Sequence, residues 1–585
     1  MMERGNGTFG RAQTGFHAKI APHTCRAGID RAKYAVALRI SRPLILLFTV
    51  LILLVSLDGL GDRKLANPDE GRYSEIAREM ALSGDFVTPR LNDLKYFEKP
   101  PLQYWATAIS FMLFGENEFT ARLYTALCGL GCILLMAYVG KRLYDAETGL
   151  LTALVLLSAP YFAAMNEIVT LDMGLTFWMT LSVASFMIAN AADAEATRKH
   201  WLWWAWAGMA GAVLSKGLIG IVFPAAALLL YCAVQRNLRL LQKLEWLKGL
   251  AIFFVIAAPW FIIVSMRNPE FARFFFIHEH VERFLSTTHR RVEPWWFFVP
   301  ILFAGFLPWA LALVPAAISG WRASPRLTAS QHTFAPLKFA LLFAVFILVF
   351  FSKSGSKLPA YILPIFPLLA LMIGVYLRHA DSKRLAWMVL PAFPVALWGA
   401  YAAWQAPLRR TEAVSRQLYA DASEWVIPAA LSIAIAALLA FFFLRAGRKW
   451  IGVLVLSFGT MLGVELIERG YDRVSPLQSA ATVATAIRPH LTDATRLYSV
   501  ENYEQSLPFY LKRTMTLVHY VDEFELGQQA EPTKHIAELR DFASAWAAPG
   551  PAIAIIPPTD IEKIRALGIA FTIIHIDPRR AAIKK

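Results

Sequence analysis

The sequence has few charged residues for its length. Asp, Glu, Lys and Arg make up 17% of its 585 residues, whereas 57% are hydrophobic. The mean hydropathy of +0.45 excludes an ordinary soluble domain along the whole chain. The four cysteines, Cys25, Cys128, Cys132 and Cys232, form no disulfide pattern, and Cys128 and Cys132, one turn apart within a predicted span, are interpreted as small core residues. The chain also has no Gly-rich phosphate-binding motif, internal repeat or low-complexity tract, so nothing in it points to a nucleotide.

Long hydrophobic runs recur from Leu44 to about Leu466. Their lengths match the hydrocarbon thickness of a bilayer, so they predict membrane-spanning helices. The first run follows a basic, polar N-terminus and is long enough to span, which favours a signal-anchor over a cleaved signal peptide. We expect thirteen spans, at about 43–61, 119–139, 147–164, 172–190, 202–216, 217–234, 248–266, 296–319, 338–352, 358–377, 385–403, 426–444 and 450–467.

The net charge of +15 does not indicate nucleic-acid binding, because the basic residues lie in short loops between spans. With a cytoplasmic N-terminus, the predicted cytoplasmic loops are all basic, as the positive-inside rule requires. The opposite loops carry cations against that rule, which indicates a separate role for them. These outer cations are Arg273, Arg283, Arg290, Arg291, Lys353, Lys357, Arg409 and Arg410.

The pattern divides the chain into three parts. Residues 1–42 form a basic cytoplasmic N-terminus, 43–467 the membrane domain, and 468–585 a periplasmic α/β domain with strands near 496, 515, 552 and 570. The first periplasmic loop, 62–118, includes an apolar stretch at 100–114 that is too short to span and fits an interfacial helix. The predicted fold is therefore a polytopic α-helical membrane protein with a C-terminal soluble α/β domain.

The first loop opens with a cluster of charged residues. Asn67 can cap a helix, Pro68 suits its first position, and the acids at 69 and 70 complement the helix dipole. That local role explains Glu70 well. Asp69 lies three residues from Arg72, so the two share one helix face. Next to the membrane, this pair could hold an acceptor or take a proton.

Two further charged positions lie near the predicted membrane surface. Glu98 and Lys99 precede a Pro-Pro pair, and the extended backbone there points their side chains in different directions. Lys99 can act as a point charge for a phosphate, or can snorkel to lipid head groups. Asp172 opens a span, where it either complements the helix dipole or faces a polar cavity.

Two outer loops complete the candidate site. His278 and Glu279 precede Arg283, a candidate phosphate clamp, and Glu279 and Arg283 have the spacing of a helical salt bridge. His278 with Glu98 could bind a metal ion, although the spacing is no known zinc signature. The segment from Ser352 to Tyr361 is rich in Gly, Ser and Lys, and could present backbone amides and cations to an anion.

Together these motifs resemble the bacterial aminoarabinose lipid A transferases, in the protein O-mannosyltransferase-like group of polyprenyl-phosphate-dependent (GT-C) glycosyltransferases. The resemblance rests on Asn67–Glu75, Tyr96–Leu102, the Asp172 region, His278–Arg283 and Ser352–Tyr361, which come in the expected order. It implies an undecaprenyl phosphate donor that carries 4-amino-4-deoxy-L-arabinose, and a lipid A phosphate acceptor. It also implies resistance to polymyxin and other cationic peptides.

The resemblance also implies roles for individual residues. Asp69 would be the essential carboxylate, with Arg72 and Asp172 as further catalytic residues. The donor phosphate would bind to Lys99, Arg283 and Tyr361. The sugar pocket or cavity would be lined by Tyr73, Tyr96, Glu98 and Lys357.

The expected chemistry is a direct displacement at the anomeric carbon with inversion, in which cations stabilise the departing polyprenyl phosphate. The expected location is the bacterial inner membrane, with the site and the C-terminal domain periplasmic and the protein a monomer. A metal ion, with Glu98 and His278 as its ligands, stays an open alternative. So do two other functions: protein O-glycosylation from a lipid-linked sugar, and transport of such a lipid.

Overall fold

The computed structural model describes residues 57–282, 293–323, 326–327 and 333–585. The N-terminal segment 1–42, most of the predicted first span and Arg283 lie outside this part of the chain. Along it run α1 Asp69–Ser83, α2 Leu102–Phe114, α3 Glu118–Leu143, α4 Ala146–Leu157, α5 Pro160–Asn166, α6 Leu171–Ala191, α7 Glu195–Lys216, α8 Ile219–Gln235, α9 Trp246–Arg267, α10 Phe298–Gly305, α11 Leu313–Arg322, α12 Pro336–Lys353, α13 Phe366–His379, α14 Ser382–Val389, α15 Ala392–Gln405, α16 Ala413–Arg445 and α17 Lys449–Arg473.

The chain is a multi-span membrane protein. Eight of its described helical segments are long and apolar enough to cross a bilayer, and two sharply bent pairs, α4 with α5 and α10 with α11, bring the number to ten. Helices α7 and α8 coincide with two further predicted spans, and α8 is shorter, at 17 residues. The predicted positions after the first span therefore all coincide with helices, while the number thirteen is not confirmed.

The first loop folds against the membrane helices. Helix α1 ends at Gly84 in the left-handed conformation, and a short hairpin of β1 Arg90–Leu91 and β2 Leu94–Lys95 leads to α2. Helix α2 has one buried face and a C-terminal end with exposed apolar side chains, including Met112, Leu113 and Phe114. This amphipathic, 13-residue helix agrees with the predicted interfacial element.

A buried ion-pair network fixes the start of α1 to the membrane helices. Glu70 is 1% exposed, and its carboxylate accepts hydrogen bonds from the guanidinium groups of Arg63 and Arg122 and from the backbone N–H of Ala66 and Val169. Burial alone would raise the pKa of Glu70, but Arg122 and Arg63 outweigh it and lower the pKa to about 2. Glu70 is thus a structural anchor.

The C-terminal region forms a six-stranded mixed sheet with the strand order β7-β6-β5-β8-β10-β9. Four strands match the predicted ones, whereas the two-residue β7 and the C-terminal β10 were not predicted. The strands of the sheet are β5 Arg496–Val500, β6 Thr516–Val518, β7 His535–Ile536, β8 Ala552–Ile556, β9 Thr572–Ile576 and β10 Ala581–Lys584. The helices of this region are α18 Ala481–Ile487, α19 Leu507–Leu511, α20 Glu525–Ala530, α21 Leu539–Ala547 and α22 Ile561–Ala566. A separate two-stranded hairpin, β3 Arg326–Leu327 with β4 Thr333–Phe334, lies earlier in the chain.

This C-terminal domain packs directly on α1. A Cβ atom on Gly71 would lie 2.4 Å from the backbone nitrogen of Ser506, so the two backbones touch. The predicted cap at Asn67 is wrong: its side chain donates to Glu504 at 2.5 Å and accepts from the Ser506 N–H at 2.8 Å. The amide is used between domains because Pro68 occupies the cap position and Glu70 already accepts the Ala66 N–H.

Candidate functional site

Helix α1 presents Asp69 and Arg72 on one face, as their spacing predicts. Arg72 Nη1 lies 3.4 Å from Asp69 Oδ1, and its Nη2 lies 3.2 Å from Glu523 Oε1 of the C-terminal domain. The Asp69 side chain is 42% exposed, whereas that of Arg72 is 15% exposed. A half-exposed carboxylate beside a fixed guanidinium can meet a ligand from solvent without losing its partner.

Three buried tyrosines lie next to this pair. Tyr73 and Tyr104 have ring centroids 5.9 Å apart, and Tyr96 is buried beside them. Burial raises the pKa of each phenol above its usual value, and Glu98 adds to the effect on all three. Asp69 lies close enough to raise the pKa of Tyr73 and Tyr104 as well. The phenols therefore stay protonated at neutral pH and can donate hydrogen bonds.

Lys99 extends the site toward the outer segment that contains Glu279. Its ammonium donates to the Glu98 carbonyl at 2.8 Å and to Glu279 Oε2 at 2.9 Å. The Glu279 side chain is largely buried, and Glu279 also acts on the pKa of Tyr104. Lys99 lies in the connection between β2 and α2. Through Glu279 it links this connection to the helical segment Phe274–Glu282.

Asp172 forms a second polar group at the start of α6. Its Oδ1 lies 2.5 Å from the ammonium of Lys216, the last residue of α7. The Lys216 ammonium also lies 5.1 Å from the ring centroid of Tyr361, a cation–π contact. Asp172 and Tyr361, two predicted site residues that are distant in sequence, are therefore connected through one lysine.

The other predicted site residues have separate surroundings. Lys357 is buried, and its ammonium donates to the backbone carbonyls of Glu293 and Ser354, which stabilises the turn. The His278 ring stacks on Phe274, with centroids 5.2 Å apart. Arg283 lies outside the described residues, so its predicted role stays a prediction.

Three acids elsewhere approach one another closely. Glu167, after α5, lies near Glu465 and Glu468 of α17, with ligand atoms within 4.8 Å. Among the described residues this is the group of acids that could share a cation. The predicted candidates, Glu98 and His278, do not belong to it.

The fold matches that of a solved relative closely. The crystal structure of ArnT from Cupriavidus metallidurans, bound to undecaprenyl phosphate, superposes with a TM-score of 0.87 at 35% identity. The match covers 93% of this chain and 98% of that one. The chain belongs to the aminoarabinose transferase family.

Family models and curated relatives agree with this membership. Residues 483–585 match the aminoarabinose transferase C-terminal domain, and residues 42–275 match the dolichyl-phosphate-mannose-protein mannosyltransferase family. Two undecaprenyl phosphate-alpha-4-amino-4-deoxy-L-arabinose arabinosyl transferases are each 36% identical. The Pseudomonas fluorescens protein is matched over 52% of this chain and 51% of its own length, and the Pseudomonas aeruginosa LESB58 protein over 54% and 56%. The chain thus spans about half the length of the curated relatives it matches.

Several residues of the candidate site were not predicted from the sequence. Tyr104 lies inside an apolar stretch, and only its place five residues after Lys99 could have indicated it. Lys216 ends a predicted span, where a lysine is usually interpreted as a topology signal. Glu523 lies on a turn in another domain, and no local pattern connects it to Arg72.

Proposed function

We propose that this protein transfers 4-amino-4-deoxy-L-arabinose from undecaprenyl phosphate to a phosphate of lipid A. The sugar and the donor are supported by the names of the curated relatives, and the polyprenyl phosphate by the lipid bound in the solved relative. The lipid A acceptor and the resulting resistance to polymyxin follow from the resemblance in the motifs. A sugar with a cationic amine on a lipid A phosphate would reduce its negative charge.

One observation carries the proposal. Within the described residues, the hydroxyls of Tyr96 and Tyr104 and the Nε of Arg72 are buried without a hydrogen-bond partner. Buried polar atoms are nearly always paired, and leaving one unpaired costs about 1–3 kcal/mol. Three such donors beside Asp69 and Glu98 fit a ligand that offers oxygen acceptors together with a cation. A phosphate-linked amino sugar has both.

The donor phosphate is assigned to Lys99, Arg283 and Tyr361. An ammonium has three donor hydrogens, and Glu98 and Glu279 accept from two of those on Lys99. In the transfer, the bond between the anomeric carbon and the donor phosphate oxygen breaks as the acceptor oxygen forms its own bond from the opposite face. The departing phosphate takes the electron pair, and nearby cations stabilise that charge. A single displacement of this kind inverts the anomeric centre.

The acceptor determines what Asp69 does. A phosphate monoester has its second pKa near ~6, so it is already nucleophilic at neutral pH and needs no strong base. We therefore assign Asp69 to the sugar amine and to the orientation of Arg72. Asp172 is the second cavity acid, held by Lys216. Tyr73 and Glu98 line the sugar pocket.

We further propose how the protein is placed in the membrane. Residues 1–42 are cytoplasmic, 43–467 form the membrane domain, and 468–585 lie in the periplasm with the site. The membrane is the bacterial inner membrane, and the protein acts as a monomer. Glu98 and His278 are candidate ligands of a divalent cation; loss of transfer after chelation and its recovery with one added metal would support that assignment.

The test uses a polymyxin-sensitive strain that makes the lipid-linked aminoarabinose but lacks its own transferase. Mass spectrometry of lipid A is compared for cells expressing wild type, Asp69→Asn and Glu116→Gln. Glu116 is an acid of the same loop in an exposed ion pair with Lys512, so its change should have little effect.

Wild type and Glu116→Gln should each add one aminopentose to lipid A, and Asp69→Asn should not. Unchanged lipid A from well-expressed wild type would overturn the proposed acceptor. Sugar-modified periplasmic proteins in the same cells would then point to protein O-glycosylation.

A further inference from the structure

Arg72 lies between two carboxylates that belong to different domains. One is Asp69 in the site, and the other is Glu523 on the turn Asp522–Phe524 of the C-terminal domain. The Glu523 side chain is 5% exposed, so this contact is shielded from solvent. The contact to Glu523, at 3.2 Å, is also the shorter of the two.

Glu523 is itself held in place. Gln505 donates to Glu523 Oε1 at 3.0 Å, and the neighbouring Phe524 packs edge-on against Tyr503 at 4.8 Å between ring centroids. Gln505 directly precedes Ser506, whose backbone touches Gly71. Glu523 is therefore held by the segment 503–506. Helix α1 packs on the same segment through Gly71, the residue directly before Arg72.

The arrangement limits how Arg72 can pair with Asp69. A guanidinium that is free to turn forms two parallel bonds to a carboxylate, which is its strongest geometry. Here Nη2 is directed to Glu523, so a single Nη1 contact of 3.4 Å reaches Asp69. Arg72 therefore bridges the two carboxylates and does not pair with Asp69 alone.

We propose that Glu523 is a positioning residue for the transfer reaction: from the C-terminal domain it orients Arg72 and keeps Arg72 from closing on Asp69. The inference rests on the proposed function, because it assigns the C-terminal domain a part in that site. It implies that the sheet domain is needed for turnover as well as for stability.

The test measures kcat and KM of purified full-length wild type, Glu523→Gln and Glu523→Ala with a polyprenyl-phosphate aminoarabinose donor and lipid A. Misplacing a catalytic group by about 1 Å can lower the rate by ~100-fold. We expect kcat to fall by about 10- to 100-fold in Glu523→Ala and by less in Glu523→Gln, which keeps an acceptor oxygen. The donor KM should change little.

The matched control is Glu531→Gln. Glu531 also joins the C-terminal domain to the first loop, through Arg90 at 3.0 Å, but on the hairpin side of α1. The Glu531→Gln variant should lose a similar interface ion pair and keep its kcat within about twofold of wild type. If kcat fell equally in Glu531→Gln and Glu523→Gln, Glu523 would only help to hold the two domains together. That result would overturn the inference.

A double-mutant cycle on thermal stability checks the contact without any substrate. Arg72→Ala and Glu523→Ala should be non-additive, since each removes the same pair. Additive effects would overturn the inference, as would wild-type kcat in Glu523→Ala. If wild type itself transfers no aminoarabinose, the proposed function fails instead, and the cycle still reports whether the two side chains are coupled.

Discussion

Replacing a carboxylate by its amide should have very different effects on stability at the adjacent residues Asp69 and Glu70. Glu70 is enclosed by Arg63 and Arg122, whereas the Asp69 side chain is 42% exposed and lies 3.4 Å from Arg72. Glu70→Gln removes a charge that two buried guanidinium groups require. Asp69→Asn removes a charge at a surface where water can replace it. We expect the first change to unfold the protein more easily and the second to leave its stability nearly unchanged.

The size of the Glu70 effect follows from its burial. Breaking a buried ion pair by removing one partner costs about 3–5 kcal/mol, because the remaining charge is left without compensation. Here two cations are left, and both are nearly inaccessible, at 7% and 1% exposure of their side chains. An exposed pair such as Lys512 with Glu116 is worth ~1 kcal/mol or less. The Glu70→Gln midpoint should therefore fall well below that of Glu116→Gln.

The assay is thermal denaturation in detergent, followed by intrinsic fluorescence, at several pH values. The pKa of Glu70 is lowered in the folded state, from 4.5 to about 2, so its stabilisation is fully present above pH ~5 and is lost as the pH falls toward 2. The difference in stability between wild type and Glu70→Gln should therefore become smaller as the pH falls over that range. The role of Glu70 as the anchor would be refuted if the two proteins differed in their free energy of unfolding by less than ~1 kcal/mol at pH 7, or if the difference did not change with pH.

Three other variants separate binding, catalysis and packing. Lys99→Met should weaken binding of undecaprenyl phosphate by about 10-fold or more, measured by titration of the purified protein, because a charged hydrogen bond is worth ~1.5–3 kcal/mol. Tyr104→Phe removes a buried hydroxyl that has no partner among the described residues, so the transfer rate should fall while the denaturation midpoint stays or rises. Gly71→Ala should lower the midpoint because its Cβ meets the Ser506 backbone, whereas Gly399→Ala, whose Cβ meets an atom only at 3.9 Å, should not.

The parts of the molecule that depend on local pattern were predictable. Hydrophobic runs gave the helix positions, and the i, i+3 spacing gave the contact of Asp69 with Arg72. The contacts that complete the site join residues far apart in sequence. Asp172 meets Lys216 across 44 residues, and Arg72 meets Glu523 across 451. Such pairs depend on how whole elements pack, which no local spacing encodes.

The same reasoning explains why the sequence predicts Glu70 only as an acid that complements the helix dipole, and Asn67 as a helix cap. Both assignments describe an isolated helix end, where the orphan N–H groups are the main demand. In the folded protein the start of α1 is enclosed by a membrane helix and by the C-terminal domain. The stronger partners, two guanidinium groups for Glu70 and the Glu504–Ser506 segment for Asn67, replace the local ones.

Helix geometry accounts for three neighbouring residues with three different tasks. Successive side chains on a helix are about 100° apart, because 3.6 residues complete a turn. Asp69 faces the site, Glu70 faces Arg122 of α3, and Gly71 faces the C-terminal domain. Arg72 then reaches from the site to Glu523. Helix α1 is therefore the element through which the membrane helices and the sheet domain both fix the position of Asp69, and a shift of either support should be detected at that carboxylate.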